Sequence, residues 1–267
     1  MSSYSPAITV PPPTSAMIAI ALNTFREAIR DRILYLLLVF ALLLIGASRL
    51  LSLLTVGNEE KIIKDMGLSA MSLFGVLTAV FVGVNLVFKE IERRTVYTLL
   101  SHPVRRWQFL CGKFFGLLSV LALNLGLMTL GLFGLLLVKG VEPWSLLPAI
   151  FLIFIELTIV TAFALLFSSL TNPILAAVWT FASFVMGHLS WSLRLLQERL
   201  PEGFGRWVCE VVYRLLPNLS WLNVKQEVVH GVALEPGVLA RGALYGILYA
   251  IAVLTLACLV FERKDFN

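Results

Sequence analysis

Six separate stretches of this chain are apolar on every helical face and long enough to cross a lipid bilayer, a pattern that leaves few folds open. They run over residues 33–54, 67–88, 114–138, 146–170, 174–193 and 242–261. A bilayer's hydrocarbon core is about 30 Å thick and takes about 20 apolar residues in helical form, at about 1.5 Å rise each. Charge is correspondingly scarce: 14% of the 267 residues are charged, against about 25% in an ordinary soluble domain. A transmembrane barrel would need apolar/polar alternation in segments of about ten residues, which these runs lack. The sequence therefore predicts an all-α polytopic membrane protein with six transmembrane helices.

Residues 15–267 read as one membrane domain, preceded by a flexible tail over 1–14 that holds Pro11, Pro12 and Pro13. The first positive charge is Arg26 and the early apolar stretch from Met17 to Leu22 is short, so the charged-then-apolar order of a secretory signal is not expected. Cys111, Cys209 and Cys258 fall on different parts of this topology and read as small apolar fillers rather than a disulfide framework or metal cluster.

Lys and Arg set the orientation. An even number of spans puts both termini on one side with Arg26, Arg30, Arg32, Lys89, Arg93, Arg94, Arg105, Arg106, Lys113, Arg263 and Lys264. The short loops opposite carry Lys61, Lys64 and Lys139, although the long loop 194–241 adds further basic residues there. Positive residues accumulate on the cytoplasmic side, so both termini are expected there, in a cytoplasmic membrane of the bacterial inner-membrane kind. The net charge of +5 is accounted for by this bias and by anionic headgroups, with no nucleic-acid partner.

Three segments outside the spans are patterned. From Ser15 to Arg32, Ile18, Leu22, Phe25 and Ile29 recur at helical spacing beside Arg26, Glu27, Arg30, Asp31 and Arg32, as in a helix lying in the membrane interface. Lys89 to Lys113 is too charged for the bilayer. Its Glu90 and Arg94 sit at i, i+4, and Pro103 breaks it before Arg105 and Arg106. From Phe204 to Leu215, apolar positions at helical spacing opposite Arg206, Glu210 and Arg214 predict an outer amphipathic helix.

The residues that read Lys89-Glu90-Ile91-Glu92-Arg93-Arg94-Thr95, then Leu99-Leu100-Ser101-His102-Pro103-Val104-Arg105-Arg106 and Gly112-Lys113, together with the interfacial "elbow" helix and the long outer loop, resemble the ABC type-2 transporter permeases. Arg94 stands where that family usually has Gly. The resemblance implies an exporter built from two permeases, alike or different, each gripped at this coupling segment by an ATPase subunit. It also implies coupling roles for Glu90, Glu92, Arg93, Arg94, Thr95, Pro103, Arg105 and Arg106, an elbow carrying Arg26, Glu27, Arg30 and Arg32, and a cargo path lined mainly by the second and fifth spans.

The chain has no G-x-x-x-x-G-K-[ST] loop to cradle phosphates: Gly112-Lys113-Phe114 lacks both the upstream glycine and the hydroxyl residue. ATP and Mg are therefore expected on a partner subunit, with no cofactor held here. A metalloprotease would need H-E-x-x-H, which is missing. A secondary transporter, with the internal repeats usual in that class, and a non-transporting scaffold are the alternatives. Within the spans, Asn85 and Asn124 read as packing residues. Glu156, near the bilayer midplane, must be protonated, hydrogen-bonded inside the bundle or wet, and His188 reads as an interfacial hydrogen-bonding residue.

Overall fold

The computed structural model describes residues 13–52, 58–92, 106–190, 203, 205–206, 210 and 216–263. Its helices are α1 (Pro13–Ile29), α2 (Arg32–Ser52), α3 (Glu59–Glu92), α4 (Arg106–Val138), α5 (Leu147–Leu170), α6 (Pro173–His188), α7 (Lys225–Val229) and α8 (Val238–Arg263). No strand occurs among the described residues. The all-α membrane architecture is as expected.

Local chemistry sets the breaks between helices. Asp31 Oδ1 accepts from Ile33 N at 2.9 Å, capping the start of α2 after α1 ends. Asn172 Oδ1 accepts from Leu175 N at 3.0 Å, and Pro173 occupies the first position of α6, where a missing N–H costs nothing. At the end of α4, Gly140 takes φ 74°, and Val141 N returns to Leu136 O at 3.0 Å, a left-handed close that a side chain would strain.

Five helices are long and apolar enough to cross a membrane: α2, α3, α4, α5 with its leading turn from Trp144, and α8. The fifth expected run is a helix of 16 residues, about 24 Å of rise. Its continuation from 191 onward lies outside the described residues. Two expected spans are parts of longer helices, since α3 has 34 residues and α4 has 33. The segment 89–113 thus begins inside α3 and ends inside α4. Of the expected outer helix, only residues 205, 206 and 210 are described, each helical.

Helix α5 is the hub. It packs against α8, α3, α6 and α4, and its buried positions include Glu156, Thr158, Thr161, Ser168 and Ser169 as well as the apolar residues. Its hydroxyls return to their own backbone, as when Thr161 Oγ1 donates to Leu157 O at 2.7 Å and Ser168 Oγ to Ala164 O at 2.5 Å. Groups that cannot find water are satisfied inside the helix. Helix α2 keeps a narrow buried seam, Leu34, Leu37, Ala41 and Ile45, and exposes Leu36, Phe40 and Leu43, as suits a helix with one side toward acyl chains.

The bundle has two distinct ends. One gathers Arg26, Arg30, Arg32, Arg106, Lys113 and Arg263 with the link at 171–173, and is the basic end. The opposite end carries Glu59, Glu60, Lys61, Lys64 and Lys139, joined by the pairs Lys139–Glu59 and Lys64–Glu60, and the segment 216–237. That segment folds back onto the bundle: Leu219, Leu222, Val224, Val228 and Val229 are buried, and α7 packs on α3 and α5.

Candidate functional site

At the basic end, α1 lies along the first turns of α4. Glycines make that approach possible. A Cβ at Gly112 would sit 2.8 Å from Ile20 Cβ and 3.0 Å from Met17 O, and one at Gly116 would sit 2.6 Å from Thr24 Cβ and 2.7 Å from Ala21 O. Because part of each contact is backbone, no rotamer change could relieve it. Spaced at i, i+4, the two glycines form one flat stripe, as small residues do between membrane helices. Thr24 and Ala28 of α1 are buried, while Ile18 and Leu22 remain exposed. Of the apolar residues that the periodicity selected, Ile18 and Leu22 thus face outward, whereas Phe25 and Ile29 are half-buried, Phe25 against the core, and another face of α1 meets α4.

Between the glycines stands Lys113, whose side chain is 1% exposed. Its Nζ lies 3.9 Å from Glu27 Oε2 of the elbow helix and 5.8 Å from the centre of the Phe109 ring. The Gly-Lys pair therefore binds the start of α4 to α1, by close approach and by charge. Arg106 turns toward α8: its Nη1 donates to Phe261 O at 3.4 Å and to Glu262 O at 3.2 Å, closing carbonyls that the end of a helix leaves open. Phe109 stacks on Phe261 with ring centres 6.1 Å apart.

Of the other expected coupling residues, Glu90 and Glu92 fall in the last turn of α3. Arg93, Arg94, Thr95, Pro103 and Arg105 lie outside the described residues. Among the elbow residues, Arg26, Arg30 and Arg32 are exposed, Arg32 at the start of α2, and Glu27 reaches Lys113.

Midway along the bundle, α3 and α6 border an apolar groove of 640 Å³, lined by Phe81, Val84, Asn85, Ile174, Val178 and Phe181 among others. Asn85 is half-buried there and supplies the groove's amide. Asn124 behaves differently: it is buried, and its Nδ2 donates to Thr78 Oγ1 at 3.0 Å, joining α4 to α3.

Toward the opposite end, α5, α3, α6 and the folded-back segment converge on Glu156. Its carboxylate is 1% exposed. Ser72 Oγ donates to Glu156 Oε1 at 3.3 Å, and His188 Nε2 lies 3.6 Å from the same oxygen. Lys225, at the start of α7, acts on Glu156 and on Asp65 through its charge, while burial pulls its ammonium below the usual lysine range. Beside it, Ser190 Oγ donates to Asn218 Oδ1 at 2.7 Å, and Tyr245 Oη accepts from Asn218 N at 2.8 Å. Sequence reasoning singled out Glu156 and assigned His188 to an interface, but missed Lys225 and Asp65. The only signal for Lys225 was a basic residue between buried valines in a loop otherwise read as outer surface.

The family model described as "ABC-2 family transporter protein" matches residues 18–266. No curated protein matches the chain.

Proposed function

We infer the role of this chain from its family: it belongs to the ABC-2 family of transporter proteins, and its activity is that of a membrane permease in an ABC transporter. The match over residues 18–266 carries this reading, since it takes in the elbow, the coupling segment, every long apolar helix and the folded-back segment. The finer assignment is an exporter subunit in a bacterial inner membrane with six crossings, α6 and its continuation making the fifth. Two permeases, two copies of this chain or one of each of two kinds, face each other across α3 and α6, and cargo passes between them. The apolar groove at Phe81, Asn85 and Val178 supports this, as does the exposed row Ile174, Val178 and Trp179.

ATP, with Mg, is bound and hydrolysed on a separate ATPase subunit that docks at the basic end. Glu90, Glu92, Arg93, Arg94 and Thr95 meet that subunit, and Pro103 and Arg105 turn the chain back into the membrane. Arg106, Lys113 and Glu27 carry movement of the segment into α8 and the elbow, because a rigid contact passes displacement to whatever it holds. The arrangement of Lys113, Glu27 and the two glycines supports this link.

The test is affinity purification of the tagged chain from its native membrane, as wild type and as Glu92→Lys. A P-loop ATPase is expected with the wild type. With Glu92→Lys its recovery falls about tenfold while the permease inserts normally, equivalent to about 1.4 kcal/mol of lost contact. Wild-type chain that purifies without any ATPase, yet transports in a proton or sodium gradient, would instead make it a secondary transporter.

A further inference from the structure

Two of the three cysteines that sequence spacing scattered, Cys111 and Cys258, are brought together by the fold at one place. Helices α4 and α8 run antiparallel at the basic end, and their register is fixed by two successive contacts, Arg106 with the carbonyls of Phe261 and Glu262 and Phe109 stacked on Phe261; the next positions inward set the Cys111 thiol beside the Cys258 thiol. Both thiols are free and each cysteine is half-buried, so small reagents can reach them. They lie 147 positions apart in sequence, and the antiparallel register of α4 and α8 sets them side by side. As plain core fillers they would need no such alignment, and neither has a place in the coupling contacts described above.

We propose that Cys111 and Cys258 are a modification site, a dithiol that a low-molecular-weight disulfide converts to an interhelix disulfide joining α4 to α8. One cysteine thiolate attacks the reagent's sulfur–sulfur bond, forming a mixed disulfide and expelling one thiol. The second cysteine then attacks the first cysteine's sulfur and expels the other thiol. Two cysteines are oxidised, one disulfide reagent is reduced to two thiols, and the protons of the cysteines end on those leaving thiols. The bond would fasten α4 to α8 within two turns of Arg106, at the point where the coupling segment enters the membrane. In a reducing compartment the pair stays open, so the staple forms only under oxidative conditions.

The experiment uses full-length protein in detergent with Cys209→Ser, which removes the remaining cysteine, and a dipyridyl disulfide as the reagent. Each equivalent should release about two pyridinethiols and leave no pyridyl adduct, the signature of a second thiol displacing the first adduct. Peptide mapping should recover the segment around Cys111 linked to that around Cys258, and dithiothreitol should separate them. With Cys258→Ser added, release should stop at about one equivalent and the adduct should remain on Cys111. Stable pyridyl adducts on both cysteines, disulfide-linked dimers on a non-reducing gel, or thiols that react only after unfolding would each overturn the proposal. Because the readout is chemical, it stands or falls independently of the ATPase and of the cargo.

Discussion

Glu156 shows how one residue can be conspicuous in a sequence while its partners are not. A carboxyl group at mid-membrane costs about 2.5 to 3.5 kcal/mol on insertion scales, so a satisfied environment was required. The structure supplies Ser72, His188 and the nearby charge of Lys225. Their sequence positions carry no periodic relation to Glu156, and only the folding-back of 216–237 brings Lys225 to it. The requirement was therefore legible, and the donors were not. Glu156→Gln keeps an acceptor for Ser72, and its thermal midpoint in detergent is expected within a few degrees of wild type. Glu156→Leu strands Ser72 and His188 and leaves Lys225 with Asp65 as its acidic neighbour. Leaving a buried donor unsatisfied costs about 1 to 3 kcal/mol, so a drop of about 5 °C is expected at about 2 to 4 °C per kcal/mol. Adding Lys225→Met should recover part of that drop, because the half-buried ammonium that has lost one of its two acidic neighbours is then gone. A Leu variant that melts with the wild type would remove Glu156 from the architecture.

Among elements, the elbow and α4 are held by shape more than by hydrophobic area. The periodicity of Ile18, Leu22, Phe25 and Ile29 was enough to predict a helix and its place at an interface, because an amphipathic stripe shows at spacings of three and four. It could not say which face meets the bundle. That depends on Gly112 and Gly116, whose bare backbone admits Thr24 and Ala21, and a lone glycine inside an apolar run has no fixed meaning until its neighbour is known. Gly116→Ala should separate the two helices, since its methyl would meet Ala21 O at 2.7 Å. Overpacking of this kind costs about 1 to 3 kcal/mol. Thermal unfolding should register that loss, and a cysteine at Ala28, fully buried in the intact structure, should gain reactivity if α1 lifts. Gly126→Ala, with nothing within 4 Å of the added carbon, is the matched control and should leave both measurements unchanged. Equal behaviour of the two variants would mean that α1 is not held by this contact.

For the whole molecule, membrane class was readable because the bilayer imposes one length and one polarity on every crossing, whereas α6 shows where that rule thins out: its 16 residues are short for a span. Orientation rests on a different asymmetry. Arg26, Arg30, Arg32, Arg106, Lys113 and Arg263 collect at one end, and Lys61, Lys64 and Lys139 at the other. The long loop on that other side is the complication, since its basic residues count against the rule when they flank a span. Lys225 is drawn into the bundle beside Glu156 and Asp65, so it does not act as a free flanking charge, which strengthens the bias toward the basic end being cytoplasmic. The prediction is made with single cysteines in a chain otherwise free of them, at Arg30, which is exposed at the basic end, and at Glu60, whose side chain is 61% exposed at the other. A membrane-impermeant maleimide should label the Glu60 position in intact cells and reach the Arg30 position only in inverted vesicles. Because both sites are exposed, a failure to label reflects sidedness rather than burial, and detergent should make both reactive. The reverse pattern would invert the molecule, move the coupling segment to the outer face and leave the proposed ATPase with nothing to grip.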